Sequence, residues 1–100
     1  MPKVTKEEAQ KRLGNVPEEY VFFCKDGRVL RNLGELRDAL GTMSDELFSY
    51  HVNKEKNDFM NWVRDVVKDE ALAKQLSKAN RPRKAADVVK EEIKFLSKRL

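Results

Sequence analysis

The sequence predicts a mainly α-helical single domain: four to five helices plus a terminal basic helix, with one short antiparallel β-hairpin among them. Three observations lead there. Phe59, Trp62, Val63, Val66 and Val67 recur at i, i+3, i+4, i+7 and i+8, the spacing of one helical face, and weaker copies of that pattern flank them. A single β-rich stretch, residues 20–24, runs into Lys25-Asp26-Gly27 and then residues 28–31, which is the pattern of two strands around a turn. A chain of 100 residues, 40% of them hydrophobic, supports one core and leaves no room for a second. Within that single domain, residues 1–17 read as a peripheral N-terminal helix, 18–80 as the core, and 81–100 as the basic C-terminal helix.

Each element follows from local chemistry. Thr5-Lys6-Glu7-Glu8 has the spacing of a capping box, and Gly14 stands where a left-handed residue would stop a short helix near 6–13. That helix has only Ala9 and Leu13 to bury. Two strands are marginal in water, so the hairpin must rest one face on helices, with Phe22 or Phe23 and Val29 on that face. Asn32-Leu33-Gly34-Glu35 repeats the capping spacing and opens a helix with Leu33, Leu36 and Leu40 on one side, ended by Gly41. Ser44-Asp45-Glu46 starts the next, which aligns Leu47, Phe48, His51 and Val52. After a polar loop at 53–57, Asn57 or Asp58 caps the central amphipathic helix. Asp69 then caps a shorter helix with Leu72, Leu76 and Ala79, and Asn80-Arg81-Pro82 breaks the chain before the last. In that last helix Ala85, Val89, Ile93, Leu96 and Leu100 form one stripe, while Lys90, Lys94 and Lys98 form a ridge on another face.

Charge is segregated along the chain. Residues 1–71 hold 12 basic and 14 acidic side chains, whereas residues 72–100 hold nine basic ones against Asp87, Glu91 and Glu92. The whole net charge of +4 is thus owed to the C-terminal segment, a distribution that favours a polyanion or an acidic partner. Basic residues near a helix C-terminus also suit the helix dipole, so the feature has a purely structural reading as well. No apolar run reaches the roughly 20 residues of a membrane helix, and the first eight residues lack the apolar stretch of a secretory signal. The expectation is a soluble, cytoplasmic protein.

Reactive constellations are scarce. Cys24 and His51 are the sole cysteine and histidine, so an intrachain disulfide is impossible and a four-ligand Cys/His zinc site falls short. Cys24 in an aromatic strand is the usual setting of a buried, inert thiol. Asp65 and Asp69, one helical turn apart beside Arg64 and Lys68, fit a solvated face better than a cation site. The four glycines stand alone, which excludes the phosphate-binding loop and the dinucleotide fingerprint. No catalytic, metal or cofactor site is expected, and the chain reads as no enzyme.

The segment from Phe48 to Trp62 gathers four of the eight aromatic residues with the only histidine and the only tryptophan. Two readings compete. In one, His51 hydrogen-bonds a helix start near Asn57-Asp58 and Trp62 fills the core. In the other, Tyr50, His51 and Trp62 rim a groove for a partner.

Asp26-Gly27, Asn32-Leu33-x-Glu35-Leu36, Phe48-x-x-His51, Asn57-Asp58-Phe59-x-x-Trp62 and Asp69-x-x-Leu72-Ala73 together resemble the signature of a small, mainly archaeal and bacterial domain family of unknown function. The resemblance spans about residues 18–80 and leaves the basic last helix outside. It implies a shared fold and no catalytic residues.

These readings predict a non-enzymatic interaction module. A protein partner or a second copy of the chain would be met by Tyr50, His51, Trp62, Phe95, Leu96 and Leu100. The alternative is DNA or structured RNA, held at its phosphates by Arg81, Arg83, Lys84, Lys90, Lys94, Lys98 and Arg99. Whether the last helix packs on its own domain or projects from it is left open by the sequence and decides most of the rest.

Overall fold

Six helices and one two-stranded hairpin make up the computed structural model, which describes residues 3–100. Residues 1 and 2 of the N-terminal segment lie outside the described residues. In chain order the elements are α1 (Lys6–Leu13), a 3₁₀ turn (Glu18–Tyr20), β1 (Phe22–Phe23), β2 (Val29–Leu30), α2 (Leu33–Gly41), α3 (Asp45–His51), α4 (Asp58–Trp62), α5 (Glu70–Leu76) and α6 (Pro82–Ser97). Between α4 and α5 the helix continues as a π-helical turn, Val63–Val67.

Helix starts are set by the side chains the sequence offers for them. Thr5 and Glu8 close the full reciprocal capping box on α1. Asn32, Ser44, Asn57 and Asp69 each accept a backbone N–H from the first turn of α2, α3, α4 and α5. Helix α6 starts on Pro82, whose missing N–H costs nothing at that position. Gly14 ends α1 differently from expectation. Its backbone is extended (φ −77°, ψ 174°), not left-handed, and a Cβ there would lie 3.2 Å from the Gln10 carbonyl oxygen. The left-handed positions are Gly27, at φ +97° in the hairpin turn, and Lys68, at φ 65° after the π turn.

In the hairpin Phe22 pairs with Leu30 and Phe23 with Val29. Directly opposed residues share a face, so Phe22 (8% exposed) and Leu30 point into the core while Phe23 (71% exposed) and Val29 point out. Placing Val29 inward is therefore corrected by one step of register. Tyr20 is also outside the strand, in the 3₁₀ turn that precedes it.

The largest helix–helix contact joins α2 to α6, and α1 and α5 pack on α6 as well. Ala85, Val89 and Leu96 of α6 are fully buried among Leu33, Leu36 and Leu40 of α2 and Leu72 and Leu76 of α5 in one continuous core. Helix α6 is thus a central element of the domain, not an appendage to a core at 18–80. Nor is α1 merely peripheral: Ala9 is fully buried and the helix lies against both α6 and α2. The Cα radius of gyration, 12.8 Å, matches the roughly 13 Å of a single 100-residue domain.

Candidate nucleic-acid interface

The aromatic segment resolves into a latch. His51, at the end of α3, is 3% exposed and packs against Phe22 and Phe59 with ring centroids 5.4 and 5.1 Å away. Its Nε2 accepts the backbone N–H of Lys25 at 3.1 Å, and its Nδ1 lies 3.0 Å from Asp58 Oδ2. A nitrogen that accepts an N–H carries no proton, so the imidazole is the Nδ1–H tautomer and donates to Asp58. One ring thereby ties the hairpin turn to the first turn of α4. Trp62 does similar work. It is buried edge-on against Phe22, and its Nε1–H donates to the Tyr20 carbonyl at 2.7 Å.

These positions correct the partner-groove reading. His51 and Trp62 have their polar atoms satisfied inside the domain, and Leu96 is 0% exposed in the α6 stripe. None of the three is available to a partner. Tyr50, Phe95 and Leu100 do stay at the surface. Tyr50 is flanked by the Lys25 and Lys56 ammonium groups at 4.9 and 4.6 Å from its ring, and Phe95 is covered on one face by the Arg99 guanidinium at 3.7 Å. Leu100 lies beyond the end of α6, so the apolar stripe stops short of it.

Cys24 is buried on the inner side of the hairpin, where burial first and the Asp26 charge second push its thiol up. Both nitrogens of His51 are engaged elsewhere, so the imidazole offers Cys24 no base. Asp65 and Asp69 do not share a helical face. The left-handed Lys68 separates them: Asp65 is exposed and paired with Arg64, while Asp69 is fully buried. Among the described residues no group of three or more His, Cys, Asp or Glu gathers as metal ligands, and no helix is long and apolar enough to cross a membrane.

The seven basic candidates fare differently from the apolar ones. Arg81, Arg83, Lys84, Lys90, Lys94 and Lys98 are all exposed, and Arg99 is half-buried with its guanidinium donating to the Phe95 carbonyl. The buried stripe of α6 faces α2 and α5, which turns the lysine ridge outward. Only Lys94 of the seven has a carboxylate within 4 Å among the described residues: Glu91, at 3.7 Å. Lys90, Lys94 and Lys98 follow one another by about 6 Å along the axis, and the span from Arg83 to Lys98 is about 22 Å. That length parallels roughly six base-pair steps of a duplex at about 3.4 Å each.

One group was not foreseen. Glu92 takes the i+7 position in the row whose i, i+4 and i+11 members, Ala85, Val89 and Leu96, are buried, and that spacing is the sign that it faces inward. It meets the carboxyl of Asp69 there.

Compared with known proteins, the chain matches no family model, no curated protein and no solved structure.

Proposed function

We propose that this protein is a non-enzymatic nucleic-acid-binding module that grips phosphates through the outward face of α6. The observation carrying this reading is the contrast between the two sets of candidate residues: the apolar set is partly consumed by the core, whereas six of the seven basic residues stay exposed and, among the described residues, only Lys94 of the set has a carboxylate within 4 Å. Cations without carboxylate partners give up little when they meet phosphate and release counterions as they do so. Contacts of that kind fix position without reading sequence, so binding is expected to tolerate many sequences.

Fluorescence anisotropy with short duplex DNA and structured RNA tests the reading. If about five phosphates are neutralised, the log–log salt slope is about −4.5, and affinity falls on the order of 500-fold between 50 and 200 mM salt. Replacing Lys90, Lys94 and Lys98 together by Glu should abolish binding to every sequence while helical circular dichroism is kept. Absence of binding at 50 mM salt, or equal binding by the triple variant, would overturn it. In that case the exposed Tyr50, Phe95 and Leu100 would turn attention to a protein partner or self-association.

A further inference from the structure

Asp69 is 0% exposed, yet it is a carboxylate at the joint between three helices. Its Oδ1 caps α5 by accepting the Leu72 N–H at 3.0 Å, and Arg12 of α1 approaches the same oxygen to 3.9 Å. Its Oδ2 has no hydrogen-bond partner. The carboxyl that neighbours it from α6 is that of Glu92, half-buried on the inward row of that helix. Two carboxylates only accept hydrogen bonds, so this contact is repulsive unless one of them holds a proton.

We propose that Glu92 donates a shared proton to Asp69, and that this proton is a lock holding α6 to the start of α5, released when the solution turns alkaline. The orphaned Oδ2 is the atom the proton satisfies, so one proton removes both a buried unpaired acceptor and a like-charge contact. Glu92 also lines a cleft of about 670 Å³, which gives the proton a route to water.

The surrounding charges set where the lock opens. Burial first, and the Asp69 contact second, push the Glu92 carboxyl up to about 8, while Arg12 of α1 and Arg99 of α6 pull it down. Around the same cleft Glu8 comes from α1, Arg64, Asp65 and Lys68 from the π turn and its end, Glu70 from α5, and Lys3 from the segment before α1. A carboxyl raised in the folded state holds its proton more tightly there than in the unfolded chain. Its contribution is therefore fully present below the unfolded value of 4.5 and is lost as pH rises through about 8.

The test is urea unfolding of the whole chain at pH 6 and pH 9, with ¹³C-labelled glutamate carboxyls followed by NMR. Allowing for solvent screening at a half-buried site, the unfolding constant is expected to rise on the order of tenfold across that range. One carboxyl resonance, missing in Glu92→Gln, should titrate well above the others. Glu92→Gln keeps an N–H to donate to Asp69 at any pH, so its pH dependence should flatten. Asp69→Asn is the second variant, since its amide can still cap α5 and donate to Glu92, and it should flatten the profile too. A wild-type profile that is flat, a profile unchanged in both variants, or a Glu92 resonance titrating in the ordinary carboxylate range would each overturn the proposal.

Discussion

Replacing His51 by Ala removes a side chain that three parts of the chain use at once. Lys25 N–H loses its acceptor, and an unsatisfied, part-buried N–H costs about 1–3 kcal/mol. The ring also leaves Phe22, Phe59 and Tyr50, which sit 5.1–5.4 Å from it, and aromatic contacts of this kind contribute about 0.5–1.5 kcal/mol each beyond burial. Because partial collapse of the cavity recovers some of this, the expected loss is about 3–5 kcal/mol, a large share of the roughly 5–15 kcal/mol that stabilises a domain. Trp62 lies in the same cluster and is the only tryptophan, so its fluorescence during urea unfolding reports the change directly. A double-mutant cycle with Asp58→Ala isolates the Nδ1–H bond, for which a coupling of about 1 kcal/mol is expected. A loss below about 1 kcal/mol for His51→Ala would refute the latch and return His51 to the list of groups free for binding.

Four further outcomes follow from the packing. Phe22→Ala should cost about 3–5 kcal/mol while Phe23→Ala stays within about 0.5 kcal/mol, in chemical denaturation; reversed costs would mean the opposite hairpin register. Lys68→Gly should stabilise by about 0.5–1 kcal/mol, left-handed strain relieved less the added freedom of the unfolded chain, visible as a melting point a few degrees higher. Leu96→Asp should collapse the amide dispersion of the whole ¹⁵N spectrum, whereas a spectrum still native over residues 3–80 would show that α6 is dispensable to the core. Alkylation of Cys24 should run about a hundredfold slower in the native chain than in urea, because burial both covers the thiol and raises it; equal rates would contradict its position behind the hairpin.

What could be read in advance was whatever depends on neighbours in sequence. Thr5, Asn32, Ser44, Asn57 and Asp69 cap through hydrogen bonds three residues long, so their types and spacing are enough. Of the residues on which the family resemblance was read, Asn32, Asn57 and Asp69 are three of these caps, Gly27 turns the hairpin, and His51 and Trp62 tie it to the helices. Long-range partners were not legible. The acceptor role of His51 depends on a backbone N–H 26 residues away, and Trp62 donates to a carbonyl 42 residues away. The π turn also escaped notice, because its stop at Lys68 uses a left-handed residue that is not glycine, and the Asp69 N–H reaches back to Val63 to close it. Glu92 was hidden for a different reason. Counted as a surface charge, it sits on the apolar row of α6, and only the approach of Asp69 from another helix gives that placement a meaning.

The position of α6 in the core has a temporal consequence. Its largest partner, α2, precedes it by some 40 to 60 positions and α1 by some 70 to 90, with α5 alone close in sequence, so much of the core is closed by contacts between widely separated parts of the chain. During synthesis the earlier helices leave the ribosome with the apolar side of α2 uncovered, and they must wait for residues 82–97 before Leu33, Leu36 and Leu40 can be shielded. A helical protein is usually a fast folder because its contacts are local; this one closes over long loops, and its refolding should be slower than its helix content suggests.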